Sequence, residues 1–194
     1  AHFGKMGGIE IKSNQELGHD FTLAELKDKY SAVAVTIGCW SSASMRAEGE
    51  DLAEQGIAWL ERIARNGWQG DNPGKTIVIG GGDVAMDCLR TALRLGGDST
   101  CLYRRTEKEM PAERIEVVEA QEEGVAFEFL SAPLKLEKRK GKLLLTCQRM
   151  ELGEPDASGR RRPVPIEGSE YEILADTVIS AIGQKTSAPQ ELKT

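Results

Sequence analysis

The stretch "TIVIGGGDVA", residues 76–85, constrains the chain more than any other. A β-branched apolar run ends on three consecutive glycines, and a helical pattern begins at once. Gly80, Gly82 and Ala85 stand at the spacing G-x-G-x-x-A, directly after a strand and directly before a helix. In that setting Gly80 permits the tight turn, Gly82 lets the backbone approach a pyrophosphate, and Ala85 keeps helix and strand close. The free N–H groups at the helix start, together with its dipole, then hold the anion. A turn that merely needs small residues reads the same locally, so the surrounding pattern has to separate the two.

That pattern is a β-α-β unit. The helix after the glycines carries Ala85, Met86, Leu89, Ala92 and Leu93 at three-to-four spacing, a single buried stripe. "STCLYRR" (99–105) is the next strand, and "PAERIEVVEAQEEG" (111–124) a helix opened near Pro111 and stopped at Gly124. An NAD-binding unit places Asp or Glu at the end of its second strand for the ribose 2′-OH. Here Arg104 and Arg105 stand there instead. A guanidinium grips a 2′-phosphate that a carboxylate would repel, so the pair selects NADP(H). The alternative is a solvated basic turn.

Either side of this unit the pattern changes. "GIEIKSNQELG" (8–18) alternates like a strand, "TLAELKDKY" (22–30) is a helix with Thr22 and Glu25 in a capping box, and "SAVAVTIG" (31–38) reads as a strand buried on both faces. Residues 39–74 are polar and glycine-dotted, with one helical stretch, "DLAEQGIAWLERIARNG" (51–67). From Val125 the sequence alternates about the Lys140–Gly141 turn, which predicts antiparallel strands. "GEPDASGRRRPVPIEGSEYEI" (153–173) then reads as a long polar hairpin tip, and "DTVISAIG" (176–183) as a closing strand. The fold class is α/β: a Rossmann-like parallel sheet with an antiparallel β-meander.

Composition bounds the function. Of 194 residues 29% are charged and 40% apolar, and the net charge of -6 opposes a nucleic-acid partner. No apolar run is long enough for a bilayer span, and the chain reads as cytoplasmic with no membrane partner. Cys39, Cys88, Cys101 and Cys147 are far apart without a CxxC pair, so buried reduced thiols are expected rather than a metal site. His2 and His19 lack a partner pattern, and Ser41, Ser42 and Ser44 lack the glycines of a nucleophile elbow.

"VIGGGDVAMDCLRTALRLGGDSTCLYRRTEKEMPA", "RMELGEPDASGRRRPVPIEGSEYEI" and "ADTVISAIGQ" closely resemble the small (beta) subunit of NADPH-dependent glutamate synthase and its relatives, across residues 8–185. The relatives include the N-terminal part of dihydropyrimidine dehydrogenase. In that family an iron–sulfur domain precedes two interleaved dinucleotide domains of glutathione-reductase type, one for FAD and one for NADPH. The resemblance implies that Gly80, Gly81, Gly82, Asp83 and Val84 form the NADPH pyrophosphate loop, and that Arg104 and Arg105 clamp the 2′-phosphate. It implies that Gly38, and Ala181 with Ile182 and Gly183, end the strands that cross between the domains near the flavin. Trp40 would line that junction or belong to the core. Glu109 and Glu113 border the nicotinamide side or complement a helix dipole, and "GRRRPVP" around Arg160 is a solvated tip or touches a partner subunit.

The expected domains are residues 1–45 as a partial FAD-domain segment (β-α-β), 46–178 as the NADPH-binding domain with its meander, and 179–194 as the start of the return to the FAD domain. The FAD fingerprint, the iron–sulfur cysteines and the flavin-contacting motif of the family would lie beyond this sequence. NADPH is therefore the cofactor expected here, with FAD in the parent protein. The expected partners are that FAD domain, the iron–sulfur domain and a large catalytic subunit. A stand-alone binding module, a ferredoxin-linked transhydrogenase and a pyrimidine reductase share the same signature.

Overall fold

The computed structural model describes residues 8–39, 41–157 and 159–185, in two units. The described part of the first, residues 8–39, holds one helix, α1 (Leu23–Lys29). Its capping box forms as the sequence predicts: the Glu25 N–H donates to Thr22 Oγ1 at 3.2 Å, and the Thr22 N–H to the Glu25 carboxylate at 2.7 Å. The two strands expected beside it do not form. Residues 8–18 contribute only a bridge between Leu17 and Phe21. Residues 31–38 adopt neither helix nor strand, and all but Val33 are exposed. An apolar run becomes a buried strand only inside a sheet, and neither segment is in one of the sheets formed by the described residues.

The second unit, Ser41–Lys185, carries the core. It opens and closes on a short antiparallel pair, β1 (Ser41–Ser42) with β10 (Gln184–Lys185). Between them lies a five-stranded, wholly parallel sheet. Its strands are β2 (Glu54–Gln55), β3 (Lys75–Ile79), β4 (Asp98–Tyr103), β5 (Ala126–Phe129) and β9 (Thr177–Ser180), in the order β2-β9-β3-β4-β5. Helices α2 (Gly56–Arg65), α3 (Asp83–Arg94) and α4 (Arg114–Glu122) cover one face. A three-stranded antiparallel sheet of β6 (Ser131–Arg139), β7 (Lys142–Pro155) and β8 (Arg161–Ala175) covers the other.

The period-two alternation of each parallel strand builds both interfaces. Val78, Cys101 and Ile179 point to the helices and meet Met86, Leu89 and Val117. Ile77, Ile79, Leu102 and Val178 point the other way and meet Leu136, Leu145 and Cys147. Both clusters exclude water, and strands buried on two faces are what continuous apolar runs encode.

Three expectations change in detail. The helix expected over residues 51–67 begins only at Gly56. Before it, Glu54 and Gln55 pair with Ile179 and Ser180 and take the sheet edge, so the ladder outcompetes helical propensity. The helix expected from Pro111 starts at Arg114, with Glu113 as N-cap. The polar run 153–173 is mostly strand: β7 and β8 extend past the core as a two-stranded ribbon, and the tip shrinks to the residues between Pro155 and Arg161. No described helix is long and apolar enough to cross a membrane.

Candidate functional site

A cavity of about 620 Å³ opens at the carboxyl ends of β3, β4 and β9, the edge of a parallel sheet where ligands bind. Ten of the eleven residues singled out from the sequence line it: Gly80, Gly81, Gly82, Asp83, Val84, Arg104, Arg105, Ala181, Ile182 and Gly183. The eleventh, Gly38, lies in the first unit.

The glycine turn is shaped by three different constraints. Gly80 sits at φ +145°, and a Cβ there would stand 2.2 Å from the Ala181 carbonyl oxygen. Its N–H donates to the Leu102 carbonyl at 3.2 Å, and its own carbonyl accepts the Cys101 thiol at 3.2 Å. A Cβ on Gly81 would enter the Tyr103 ring at 2.7 Å. Gly82, the N-cap of α3, differs from both. Its φ of -98° and ψ of 179° are extended backbone open to any residue, and the nearest atom to an added Cβ is Pro111 Cγ at 3.8 Å. No side chain caps the helix there. Nothing within the described fold requires glycine at position 82, and its helix end faces the cavity with its first N–H groups uncapped.

The segment after β4 is stapled onto this turn. The Ala112 N–H donates to the Gly81 carbonyl at 3.1 Å, and the Glu113 N–H to the Asp83 carboxylate at 2.9 Å. Asp83 thus positions the loop. Glu109 is buried: its carboxylate accepts from the Thr106 N–H and hydroxyl, which holds its pKa below the usual carboxylate range. Glu109 closes a capping box with Thr106 on the short 3-10 turn Glu107–Glu109, while Glu113 is the N-cap of α4.

The two arginines part company. Arg105 is 5% exposed, with Nε donating to the Arg161 carbonyl at 2.7 Å and its guanidinium paired to Asp156 at 2.9 Å. Arg104 is exposed toward the cavity. Partial desolvation holds its pKa below the ordinary guanidinium value, as do the positive charges of Arg105, Arg160 and Arg46. Arg46 and Arg160 line the same cavity. Arg46 falls in the polar connection 39–74, and Arg160 in the segment expected to be a solvated tip or to touch a partner subunit; neither carries a local signal, because both arrive from outside the β-α-β unit.

The remaining candidates disperse. His19 contacts Asp20 on the surface, and Ser44 donates to Glu50. His2 and Trp40 lie outside the described residues. Cys88, Cys101 and Cys147 are buried free thiols and Cys39 is exposed. Among the described residues no three His, Cys, Asp or Glu side chains cluster as metal ligands.

Parallel sheet, glycine turn into a helix and antiparallel cover together make a Rossmann-like α/β fold. Solved structures share it at low sequence identity. FprA from Mycobacterium tuberculosis, solved in complex with NADPH, superposes with a TM-score of 0.72 at 19% identity, over 91% of this chain and 55% of that one. Thioredoxin reductase from Lactococcus lactis gives 0.52 at 16% identity, over 74% and 42%.

At the sequence level the likeness is closer. The chain is 46% identical over 184 residues to the NADPH-Fe(3+) oxidoreductase subunit beta of Geobacter sulfurreducens, and 43% identical over 192 residues to the glutamate synthase [NADPH] small chain of Escherichia coli. It is homologous to a segment of both, covering 91% of itself but 27% and 40% of theirs. No protein-family model matches the chain.

Proposed function

We propose that the unit Ser41–Lys185 binds NADPH in the cavity at the sheet's carboxyl edge, as the NADPH domain of a flavin-dependent oxidoreductase. Gly82 carries this reading. A glycine that its own fold does not need, at an uncapped helix end beside a cavity, is explained by a ligand that a methyl group would displace. The α3 N-terminus would hold the pyrophosphate and Arg104 the 2′-phosphate. Ala181, Ile182 and Gly183 would shape the end toward the flavin.

When bound, NADPH supplies a hydride, which the FAD of the parent protein accepts for onward transfer to iron–sulfur clusters. The chain's own residues bind, orient and exclude water, and no general base is needed. In this reading the NADPH domain is the unit Ser41–Lys185, wider than the 46–178 expected from the sequence because β9 (Thr177–Ser180) lies inside its sheet. It works in a cytoplasmic complex with an FAD domain, an iron–sulfur domain and a large subunit. Relatives named for Fe(3+) reduction, formate oxidation and glutamate synthesis share this segment, which supports a common electron-input module whose acceptor is set elsewhere.

Binding tests it. Titration calorimetry of the 194-residue chain should show NADPH preferred over NADH, and Arg104→Ala should reduce that preference about tenfold, the value of one screened charged hydrogen bond. A chain that binds neither nucleotide overturns the proposal.

A further inference from the structure

We propose that recognition of the ribose phosphomonoester is assembled from three separate segments, by Arg104 at the end of β4, Arg46 from the loop after β1, and Arg160 from the β7–β8 tip. Two other residues, Arg105 and Glu50, position the last two without touching the ligand. This deepens the NADPH reading and rests on it.

Arg105 is the first strut. Its buried guanidinium donates through Nε to the Arg161 carbonyl and through Nη2 to the Asp156 carboxylate. Asp156 in turn closes the tip: its N–H donates to the Arg160 carbonyl at 2.7 Å, and its other carboxylate oxygen accepts the Arg160 N–H at 3.3 Å. The strand end and the tip are therefore one tied structure, which fixes the backbone of Arg160 beside the cavity. A part-buried ion pair of this kind sets geometry more than it adds stability.

Glu50 is the second strut. Arg46 adopts φ +59°, a left-handed conformation that costs a branched or long residue about 1 kcal/mol and persists only where neighbours impose it. Glu50 imposes it. Its carboxylate accepts the Arg46 N–H at 2.9 Å and the Ser44 hydroxyl at 2.7 Å, and these bonds hold its own pKa down.

The result is a concentration of like charge at the cavity. Arg104 feels the charges of Arg105, Arg160 and Arg46, and among the described residues neither Arg46 nor Arg104 has an ion-pair partner. Guanidinium groups that repel one another across a cavity are stabilised by an entering dianion, and a phosphomonoester supplies one where a 2′-hydroxyl does not.

The experiment measures Kd for NADPH and NADH in the full chain and in five variants, Arg104→Ala among them, with circular dichroism confirming the fold. Arg46→Ala and Arg160→Ala should each weaken NADPH about tenfold and leave NADH within about twofold. Glu50→Gln should follow Arg46→Ala with a smaller loss. Asp156→Asn separates strut from ligand: if Arg105 is a strut, releasing it frees the tip and weakens NADPH; if Arg105 is a direct ligand, binding holds or tightens. A tight Asp156→Asn variant therefore overturns the strut role, and unchanged NADPH-to-NADH ratios in Arg46→Ala and Arg160→Ala overturn the three-segment site. Should Asp156→Asn not fold, Arg46→Ala and Arg160→Ala, both exposed side chains, still decide the three-segment site. Loss of preference in Arg104→Ala but in neither of those two leaves the NADPH reading standing and removes this one. A wild-type chain that binds neither nucleotide removes both.

Discussion

A methyl group at position 80 would stand 2.2 Å from the Ala181 carbonyl on a backbone at φ +145°, whereas one at position 82 meets only Pro111 Cγ at 3.8 Å on extended backbone. Adjacent glycines in one motif therefore answer to different masters. Gly80→Ala should destabilise the fold by about 2–5 kcal/mol through strain and overlap. Gly82→Ala should leave the melting temperature within a degree or two of wild type and weaken NADPH about tenfold, or about 1.4 kcal/mol. Thermal denaturation and calorimetry on both variants check the contrast. Unchanged affinity in a folded Gly82→Ala chain would reject the pyrophosphate role. Neighbouring arginines divide in the same way, with Arg104 facing the cavity and Arg105 buried against Asp156.

Turns and strand ends decide the elements. Arg139 pairs with Lys142 across a two-residue turn in which Lys140 sits at φ 51° and Gly141 at φ 80°, both left-handed. Such a turn matches the twist of the flanking strands, and glycine is at ease in it while lysine is not. Lys140→Asn, which suits the first position, should stabilise the chain by about 0.5 kcal/mol. A urea denaturation curve would show the midpoint rise with no change in slope; a fall would mean the Lys140 side chain makes contacts that outweigh its backbone strain. The next hairpin, β7–β8, explains why the polar run after residue 152 forms strand. Its backbone groups pair across β7 and β8, so no hydrophobic face is needed to satisfy them.

At the scale of the whole molecule, the parallel sheet is covered on both faces, and three of the four cysteines are buried in the two cores this makes. Burial pushes the thiols of Cys88, Cys101 and Cys147 up to about 12. A thiol whose pKa is raised by folding stabilises the native state fully below its ordinary value near 9. That stability is lost as the pH rises through the window from about 9 to about 12, because the unfolded chain ionises first. The native chain at about pH 8 should therefore show one fast-reacting thiol, Cys39, with the other three reacting only after denaturation. A thiol-exchange assay with and without urea counts them. Two or more fast thiols in the native chain would show that the core opens far more readily than its packing implies.

The sequence by itself determined the fold class, the β3–α3–β4 unit, the meander turn and ten of the cavity's lining residues. Each of these is written in local spacing: period two, period 3.6, glycines at a turn, a charge at a strand end. Tertiary structure decided what local spacing does not encode. It left residues 31–38 out of the sheets, gave Glu54 and Gln55 to a sheet edge instead of a helix, and turned Arg105 inward. It also carried Arg46 and Arg160 to the cavity from segments 58 residues before and 56 residues after Arg104 in the chain. Which charges end up facing one another depends on how loops close over the sheet, and only the folded chain settles that.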